Sequence, residues 1–358
     1  MSDWLEGVRA LLPGTRLEFL DLLGGSRRSH VRRIRAGSRT LIVKEFTGSG
    51  AGWAREAAAL SVMPSDARVP RWVADGAVPP IVVMSDAGSG ASVADALLGR
   101  DRGAAAAAVA SWATAIASVH RATTDSRAAF RDALGARAGD VAVPESTVSA
   151  DLEDAARMIA RHCERLGIDV PADALDELRA LGSRLGGTES AALTPADACP
   201  DNNVRADDEL VLIDFESAQW RHVAWDVAYL IVPWPSCWCS WRLPADVAEQ
   251  AIEAYRTASA MAYVDSPGFR RDVDAAAVGW TFVSTSWFLD LALLDEPPLT
   301  DPNKPSPTRR SMILHRLHQT RGTAELPGLA ELAARLHDGL TDRWGDLALP
   351  YAPAFNRP

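Results

Sequence analysis

The stretch Leu193 to Leu230, LTPADACPDNNVRADDELVLIDFESAQWRHVAWDVAYL, decides how this sequence is read. It holds two acidic stations. Asp197 is followed five positions on by Asn202, in a run with Pro200 and Asp201 that resists regular structure. Asp214 ends the apolar run Leu210 to Ile213, which reads as a short buried strand, and Phe215 and Glu216 come next. A carboxylate, an amide and a second carboxylate on two loops joined by one hairpin can converge on a divalent cation and on a hydroxyl to be activated. Phosphoryl transfer uses such a layout.

Composition bounds the alternatives. A chain of 358 residues with 47% hydrophobic content has room for two lobes around a substantial core and is ordinary for a globular protein. The formal charge of -10 and pI near 5.2 speak against general affinity for nucleic acid or an anionic membrane, because that binding rests on Lys and Arg neutralising phosphates. The spacing of Cys163, Cys199, Cys237 and Cys239 shows no disulfide framework, and the N-terminus lacks a basic region followed by an apolar core. A reducing cytoplasm is the expected compartment. Charge, Gly or Pro interrupts the apolar runs before they reach the ~20 residues of a membrane span.

Toward the N-terminus, residues 1 to 20 read as a short amphipathic lead-in ending near Pro13 and Gly14. Leu20 to Leu23, Val31 to Arg35 and Thr40 to Phe46 then read as three antiparallel strands. Gly24, Gly25, Ser26 and Ser29 lie in the first connection. A loop of this composition can lay backbone N–H groups against phosphate oxygens, and it is equally the composition of a plain turn. In LIVKEF, Lys44 sits within an apolar run, where a lone ammonium is costly unless paired. Glu56, in the helix-forming run WAREAAALSVM, is an available partner. A Lys held by a helical Glu serves phosphate binding in protein kinases; a strand Lys and a solvated helix Glu are the plainer alternative.

The run IVVM reads as a strand that leads through Ser85, Asp86, Ala87 and Gly88 into a helix begun by Ser92. Arg102 to Thr123, rich in Ala with Trp112, Ile116 and Val119 at helical spacing, predicts a long core helix with His120 near its end as a core or capping histidine. Residues 125 to 190 predict two or three amphipathic helices, with GARAGDVAVPESTVS as a mobile connection. Residues 245 to 295 and 310 to 345 are helical in pattern, and the Pro-rich DEPPLTDPNKPSPT between them predicts a surface loop.

With these residues in order, the chain resembles the aminoglycoside phosphotransferase and choline kinase-like superfamily over roughly residues 20 to 290. The resemblance is carried by Asp197 to Asn202, by Ile213 to Glu216, and by Ala224 to Ala228 around Asp226, with Lys44, Glu56 and Met84 to Ala87 in matching order. It implies an α+β, bilobal protein kinase-like fold: a β-rich N-lobe over 1–84, a hinge at 85–91 and a helical C-lobe over 92–358. By the same resemblance Asp197 orients the acceptor hydroxyl and takes its proton. Asn202 and Asp214 hold Mg²⁺. Lys44, fixed by Glu56, binds the α- and β-phosphates of ATP, with GTP as the alternative nucleotide. Backbone donors of Gly24, Gly25, Ser26 and Ser29 cover the phosphates, while the Ser85 carbonyl and Ala87 N–H face the base.

Two departures stand out. The family has His two residues before the catalytic Asp, with Gly between; here those positions are Pro195 and Ala196, and the proline ring can supply rigidity in place of the histidine brace. Cys199 replaces a polar or aromatic residue. Beyond the quoted stretch, RRSHVRRIRAGSR is the one basic run and reads as a solvated sheet face. Pro233 to Trp241 carries Trp234, Trp238 and Trp241, which either stack on a sugar or cationic acceptor or pack between helices. Its Cys237-x-Cys239 pair has poor zinc spacing on its own. Asp290, on a later apolar helix, either faces a cationic acceptor or sits at the surface.

The expected activity is ATP-dependent transfer to a hydroxyl of a small molecule. An amino sugar is the first acceptor and a choline-like alcohol the second. A nucleotide-binding scaffold without turnover is the rival, with Pro195 its main support. Neither nucleic acid nor membrane is an expected partner.

Overall fold

The computed structural model describes residues 3–26, 28–48, 50–139, 142–186, 189–295 and 305–356. Five strands in the first 85 residues form one antiparallel sheet: β1 (Leu17–Ser26), β2 (Ser29–Ala36), β3 (Arg39–Phe46), β4 (Trp72–Ala77) and β5 (Pro80–Ser85), in the order β1-β2-β3-β5-β4. The expected open Gly/Ser connection is shorter than predicted. Gly24, Gly25 and Ser26 pair with Val31, His30 and Ser29, so the glycines belong to the strand, beyond a bulge between Leu22 and Gly24.

Strand alternation fixes which way Lys44 points. Leu41 and Val43 join Ile34, Ile81 and Val83 in an apolar layer under α1 (Asp3–Leu11), which contributes Trp4 and Val8. The alternate residues Ile42, Lys44 and Phe46 therefore share the other face, where α2 (Gly50–Val62) packs. Trp53 to Leu60 of α2 are all buried, and Trp53 Nε1 donates to the Ile81 carbonyl at 3.1 Å.

The remainder is mainly helical, as the patterning predicts. It contains α3 (Val93–Leu98), α4 (Arg102–Thr123), α5 (Arg127–Ala138), α6 (Val148–Leu166) and α7 (Ala174–Arg184). Then come β6 (Ala191–Thr194), β7 (Asn203–Ala206), β8 (Glu209–Leu212) and β9 (Gln219–His222), followed by α8 (Ala224–Val227). The last helices are α9 (Ala245–Ser259), α10 (Pro267–Leu293), α11 (Arg309–Thr320) and α12 (Pro327–Trp344). Residues 296–304 of the Pro-rich loop and residues 140–141 of the expected mobile connection lie outside the described residues; 135–138 of that connection are helix.

α4 and α10 have the length and apolar composition of membrane spans, contrary to the sequence expectation, yet about two-thirds of each is buried within the fold (61% and 67% of the apolar window). They are core helices: α4 packs on α9, and α10 on α6 and α11. His120, near the end of α4, is fully buried and satisfied, with Nδ1 2.8 Å from Tyr255 OH and Nε2 3.1 Å from Asp226 Oδ2. Asp226 also pairs with Arg221, which anchors α8 to β9 within the quoted stretch.

Candidate active site

Sheet and helices enclose a cleft of about 640 Å³ lined from both sides by predicted residues. On the sheet side, Lys44 Nζ lies 2.6 Å from Glu56 Oε2, 2.6 Å from Asp214 Oδ1 and 3.0 Å from Glu216 Oε2. Burial pulls the Lys44 pKa down, but Glu56, Asp214 and Glu216 together outweigh it, and the ammonium stays charged. Glu56 is the deepest of the three; its burial pushes its pKa up against the pull of Lys44. Sequence reasoning assigned Glu216 no role. Its place two residues after Asp214 was the available signal, and Arg28 Nη2 reaches its other oxygen at 3.0 Å.

On the opposite wall the hairpin β7–β8 sets Asn202 and Asp214 at its two ends, and the Ile213 N–H donates to the Asn202 carbonyl at 3.0 Å. Asn202 Nδ2 donates to the Asp197 carbonyl at 2.7 Å, so the atom its side chain has left to offer is an oxygen. Burial raises the Asp197 carboxyl to about 6; Asp214 and Asp201 push the same way, and a hydrogen bond from Ser236 opposes them. Ser236 Oγ donates to Asp197 Oδ1 at 2.7 Å and lies 3.0 Å from Tyr229 OH, which donates to the Ala196 carbonyl at 3.2 Å. Among the described hydrogen bonds Asp197 Oδ2 has no partner, leaving that oxygen for a hydroxyl brought into the cleft.

Tyr229 and Ser236 thus hold the loop where Pro195 replaces the family's histidine. The loop is strained as well. Ala196 has φ 60°, which costs an L-residue with a Cβ ~1 kcal/mol and which glycine would adopt freely.

The cysteine expectation is corrected here: Cys199 and Cys237 form a disulfide across 38 positions, tying the Asp197 loop to the tryptophan segment. Spacing does not reveal the pair because it arises from two irregular segments meeting in the fold. Cys199 Sγ also lies 3.1 Å from Asp197 Oδ1.

Between the two walls run residues 86–92, irregular in backbone, with Ser85, Ala87 and Gly88 on the cleft. Asp86 takes two bonds from Arg33 of β2 (2.7 and 3.1 Å), and Arg33 also donates to the Gly88 carbonyl at 3.0 Å. This clamp had no sequence signal. Gly90 is required by packing: a Cβ there would fall 2.0 Å from the Arg205 carbonyl oxygen.

Ser29, at the start of β2, lines the cleft, and so does Trp238, whose Nε1 donates to Asp201 Oδ2 at 2.7 Å. The other acceptor candidates lie elsewhere. Trp234 is fully buried, edge-on to Trp112 with centroids 6.2 Å apart, and has no free face for a ligand. Trp241 packs on the main core outside the cleft lining. Asp290 pairs with Arg165 at 2.6 Å on the helical surface.

The donor chemistry fits a hard divalent cation. Glu56, Asp214 and Glu216 bring three carboxylates within 4.8 Å of one another, against the single ammonium of Lys44 and the guanidinium of Arg28 on Glu216. Asn202 adds a neutral oxygen, and oxygen-only sets with room for water suit Mg²⁺.

The family model described as the phosphotransferase enzyme family matches residues 21–264. The chain belongs to that family. This phosphotransferase also shares its fold with solved kinases. A choline/ethanolamine kinase family protein from Mesorhizobium loti is 18% identical, with 92% of this chain and 98% of that chain covered and a TM-score of 0.51. Choline kinase from Cryptosporidium parvum is 12% identical, with 94% and 99% covered and a TM-score of 0.54. Ethanolamine kinase from Plasmodium vivax is 11% identical, with 90% and 81% covered and a TM-score of 0.53. No curated protein sequence matches. The phosphotransferase is accordingly a small-molecule kinase of α+β, protein kinase-like fold.

Proposed function

We propose that this phosphotransferase moves the γ-phosphoryl group of ATP, bound with Mg²⁺, to a hydroxyl of a cationic small molecule, with an amino sugar as the leading acceptor. One observation carries the reading: Lys44, clamped by Glu56 and Asp214, faces the same cleft as Asp197 and Asn202. We take residues 1–84 as the nucleotide lobe, 85–91 as the hinge and 92–358 as the lobe that carries the catalytic loop and acceptor pocket.

Lys44 supplies a fixed positive charge to the α- and β-phosphates, and the end of β1 with Ser29 closes over them through backbone donors. The Ser85 carbonyl and Ala87 N–H read the base edge; they suit adenine first and leave GTP as the alternative. Asn202 and Asp214 would hold the cation, with Glu216 beside them, and the ion when bound neutralises charge on the transferring phosphates. Asp197 Oδ2 accepts the acceptor's hydroxyl proton as the phosphorus–oxygen bond forms. The loose transition state of this reaction asks for positioning more than for strong basicity.

Asp197, Asp201 and the Trp238 indole give the acceptor side an anionic and aromatic surface, which favours a protonated amine. One aromatic on the cleft is fewer than a quaternary-ammonium cage uses, and this ranks an amino sugar above a choline-like alcohol. Against a scaffold without turnover stand the full set Lys44, Asp197, Asn202 and Asp214 and the braces that replace the missing histidine. We place the ATP-dependent reaction in the cytoplasm, where the Cys199–Cys237 pair would be held reduced.

The test is an acceptor screen with Mg-ATP or Mg-GTP, read by mass spectrometry. A gain of one phosphoryl group on an amino sugar is expected. Nucleotide binding without ADP release across amino sugars, amino alcohols and nucleosides would favour the scaffold.

A further inference from the structure

Outside the phosphate-binding machinery, the catalytic loop and the segment Pro233 to Trp241 bring three sulfurs and a carboxylate together. Cys237 Sγ is bonded to Cys199 Sγ, lies 3.3 Å from Cys239 Sγ and is 3.7 Å from Asp201 Oδ1. The ligating atoms of Cys199, Asp201 and Cys237 all fall within 4.8 Å of one another. The three cysteines are buried, at 4%, 8% and 1% exposure for Cys199, Cys237 and Cys239. Trp238 Nε1 holds Asp201 by Oδ2, which leaves Oδ1 on the side of the sulfurs. The sequence-level objection to a metal, that Cys237-x-Cys239 lacks further ligands, is answered by the fold, which brings Cys199 and Asp201 to the pair.

A tetrahedral zinc site with metal–sulfur bonds of ~2.3 Å spaces its sulfurs about 3.8 Å apart. From Cys237 Sγ, both Cys239 Sγ at 3.3 Å and Asp201 Oδ1 at 3.7 Å already stand near that spacing. An outer hydrogen bond such as that from Trp238 is what orients a ligating carboxylate. Magnesium does not compete for these atoms, because it prefers oxygen ligands, whereas thiolates select soft or borderline cations.

We propose that Cys199, Cys237, Cys239 and Asp201, once the disulfide is reduced, form a binding site for a thiophilic divalent cation of the zinc type. A thiol or phosphine reductant supplies two electrons, the sulfur–sulfur bond takes them up with two protons, and the reductant leaves oxidised. Binding then converts three thiols to thiolates, three protons pass to solvent, and Asp201 ligates in its ionised form. The bound state carries two net negative charges, as a four-thiolate zinc site does. Its ligands flank Asn202 on one segment and Ser236 on the other, so the cation replaces the disulfide as the tie that keeps Ser236 on Asp197. The oxidised chain is tied by sulfur and the reduced chain by metal.

The experiment titrates Co²⁺, as a spectroscopic stand-in for zinc, into the full-length chain reduced by a phosphine under anaerobic conditions, with excess Mg²⁺ to fill oxygen sites. One equivalent is expected to produce thiolate-to-cobalt charge transfer and the intense visible bands of tetrahedral cobalt, and one equivalent of Zn²⁺ to bleach them. Cys239→Ser and Cys199→Ser should weaken binding at least tenfold, and Asp201→Asn should weaken it without abolishing the charge transfer. Cys163→Ser, in α6, should leave the spectrum unchanged. Circular dichroism of each variant separates loss of ligand from loss of fold. Absence of charge transfer in the folded, reduced chain overturns the proposal. So do bands that survive Cys239→Ser undiminished, and bands that form in the fully oxidised chain. None of these readouts needs nucleotide or acceptor, so they stand whether or not phosphoryl transfer is found.

Discussion

The two walls of the cleft hold their key side chains by different means. Lys44 is fixed by charge and in excess, with three carboxylates within 3.0 Å. Asp197 is fixed by a hydroxyl, a loop in left-handed backbone and a sulfur tie. The nucleotide wall is therefore redundant and can lose a partner with little motion of Lys44. The acceptor wall has a single hydroxyl donor on its carboxylate among the described contacts, and each loss there is felt directly at the reacting oxygen. Under the proposed function, redundant ionic clamping suits a nucleotide that kinases share, and a carboxylate with one hydroxyl donor suits a wall shaped around one acceptor.

The largest effect falls on the base itself. Asp197→Asn should lower kcat ~10²- to 10⁴-fold, the range that positioned proton acceptors contribute, while the Kd for Mg-ATP stays within about threefold. Steady-state ADP release and calorimetric nucleotide binding separate the two quantities. Unchanged ADP release would remove Asp197 from its assigned role.

Next comes Lys44. Lys44→Met deletes, among the described residues, the cation that contacts all three carboxylates, so nucleotide affinity and kcat should fall together, the latter ~10²-fold as for other charge-stabilising donors. It should also destabilise the fold in a thermal melt, because Glu56 is left buried without its counter-ion. The contrast that tests redundancy is Glu216→Gln. With Glu56 and Asp214 still in place and the amide oxygen of the new side chain still able to accept from the ammonium, Lys44 should hold and the KM for ATP should shift less than about fivefold, the net worth of about one hydrogen bond. A loss as large as that of Lys44→Met would mean the clamp is not redundant.

What could be read in advance follows the same divide. Lys44 and Glu56 were legible because strand alternation and helix propensity are local rules, and one apolar run with one charge inside it already asks for a partner. Asp197, Asn202 and Asp214 were legible as an ordered set around a hairpin. The acceptor wall obeys no period. Ser236 reaches Asp197 across 39 positions and Cys237 reaches Cys199 across 38, through a segment whose turn rests on Trp234 at φ 40°. No repeat in Pro233 to Trp241 tells which tryptophan points inward, so all three stood open between acceptor and core; Trp234 lies in the core, while Trp238 has a place on the cleft. Asp290 stood open between acceptor and surface because a helix sequence offers no sign of the Arg165 that neutralises it.

The last variant isolates the Ser236 hydroxyl on the acceptor wall. Ser236→Ala removes a neutral-to-charged hydrogen bond of ~1.5–3 kcal/mol at most, part of which water restores in an accessible cleft, so kcat should fall about tenfold with the KM for ATP unchanged. Ser236→Thr, which keeps the hydroxyl, should recover most of it. The pH profile carries the sharper sign. Asp197 must be ionised to accept a proton, and its carboxyl is raised to about 6, so kcat/KM, which reports the free enzyme, should fall off below pH 6. The Ser236 hydroxyl stabilises the ionised form; without it burial and the Asp214 and Asp201 charges are opposed only by the weaker pull of Arg28 among the described groups, and the acid limb of Ser236→Ala should move to higher pH. A limb that stays in place or moves down would mean that Ser236 does not hold the base, and the acceptor wall would then be braced through Tyr229 and the sulfur tie alone.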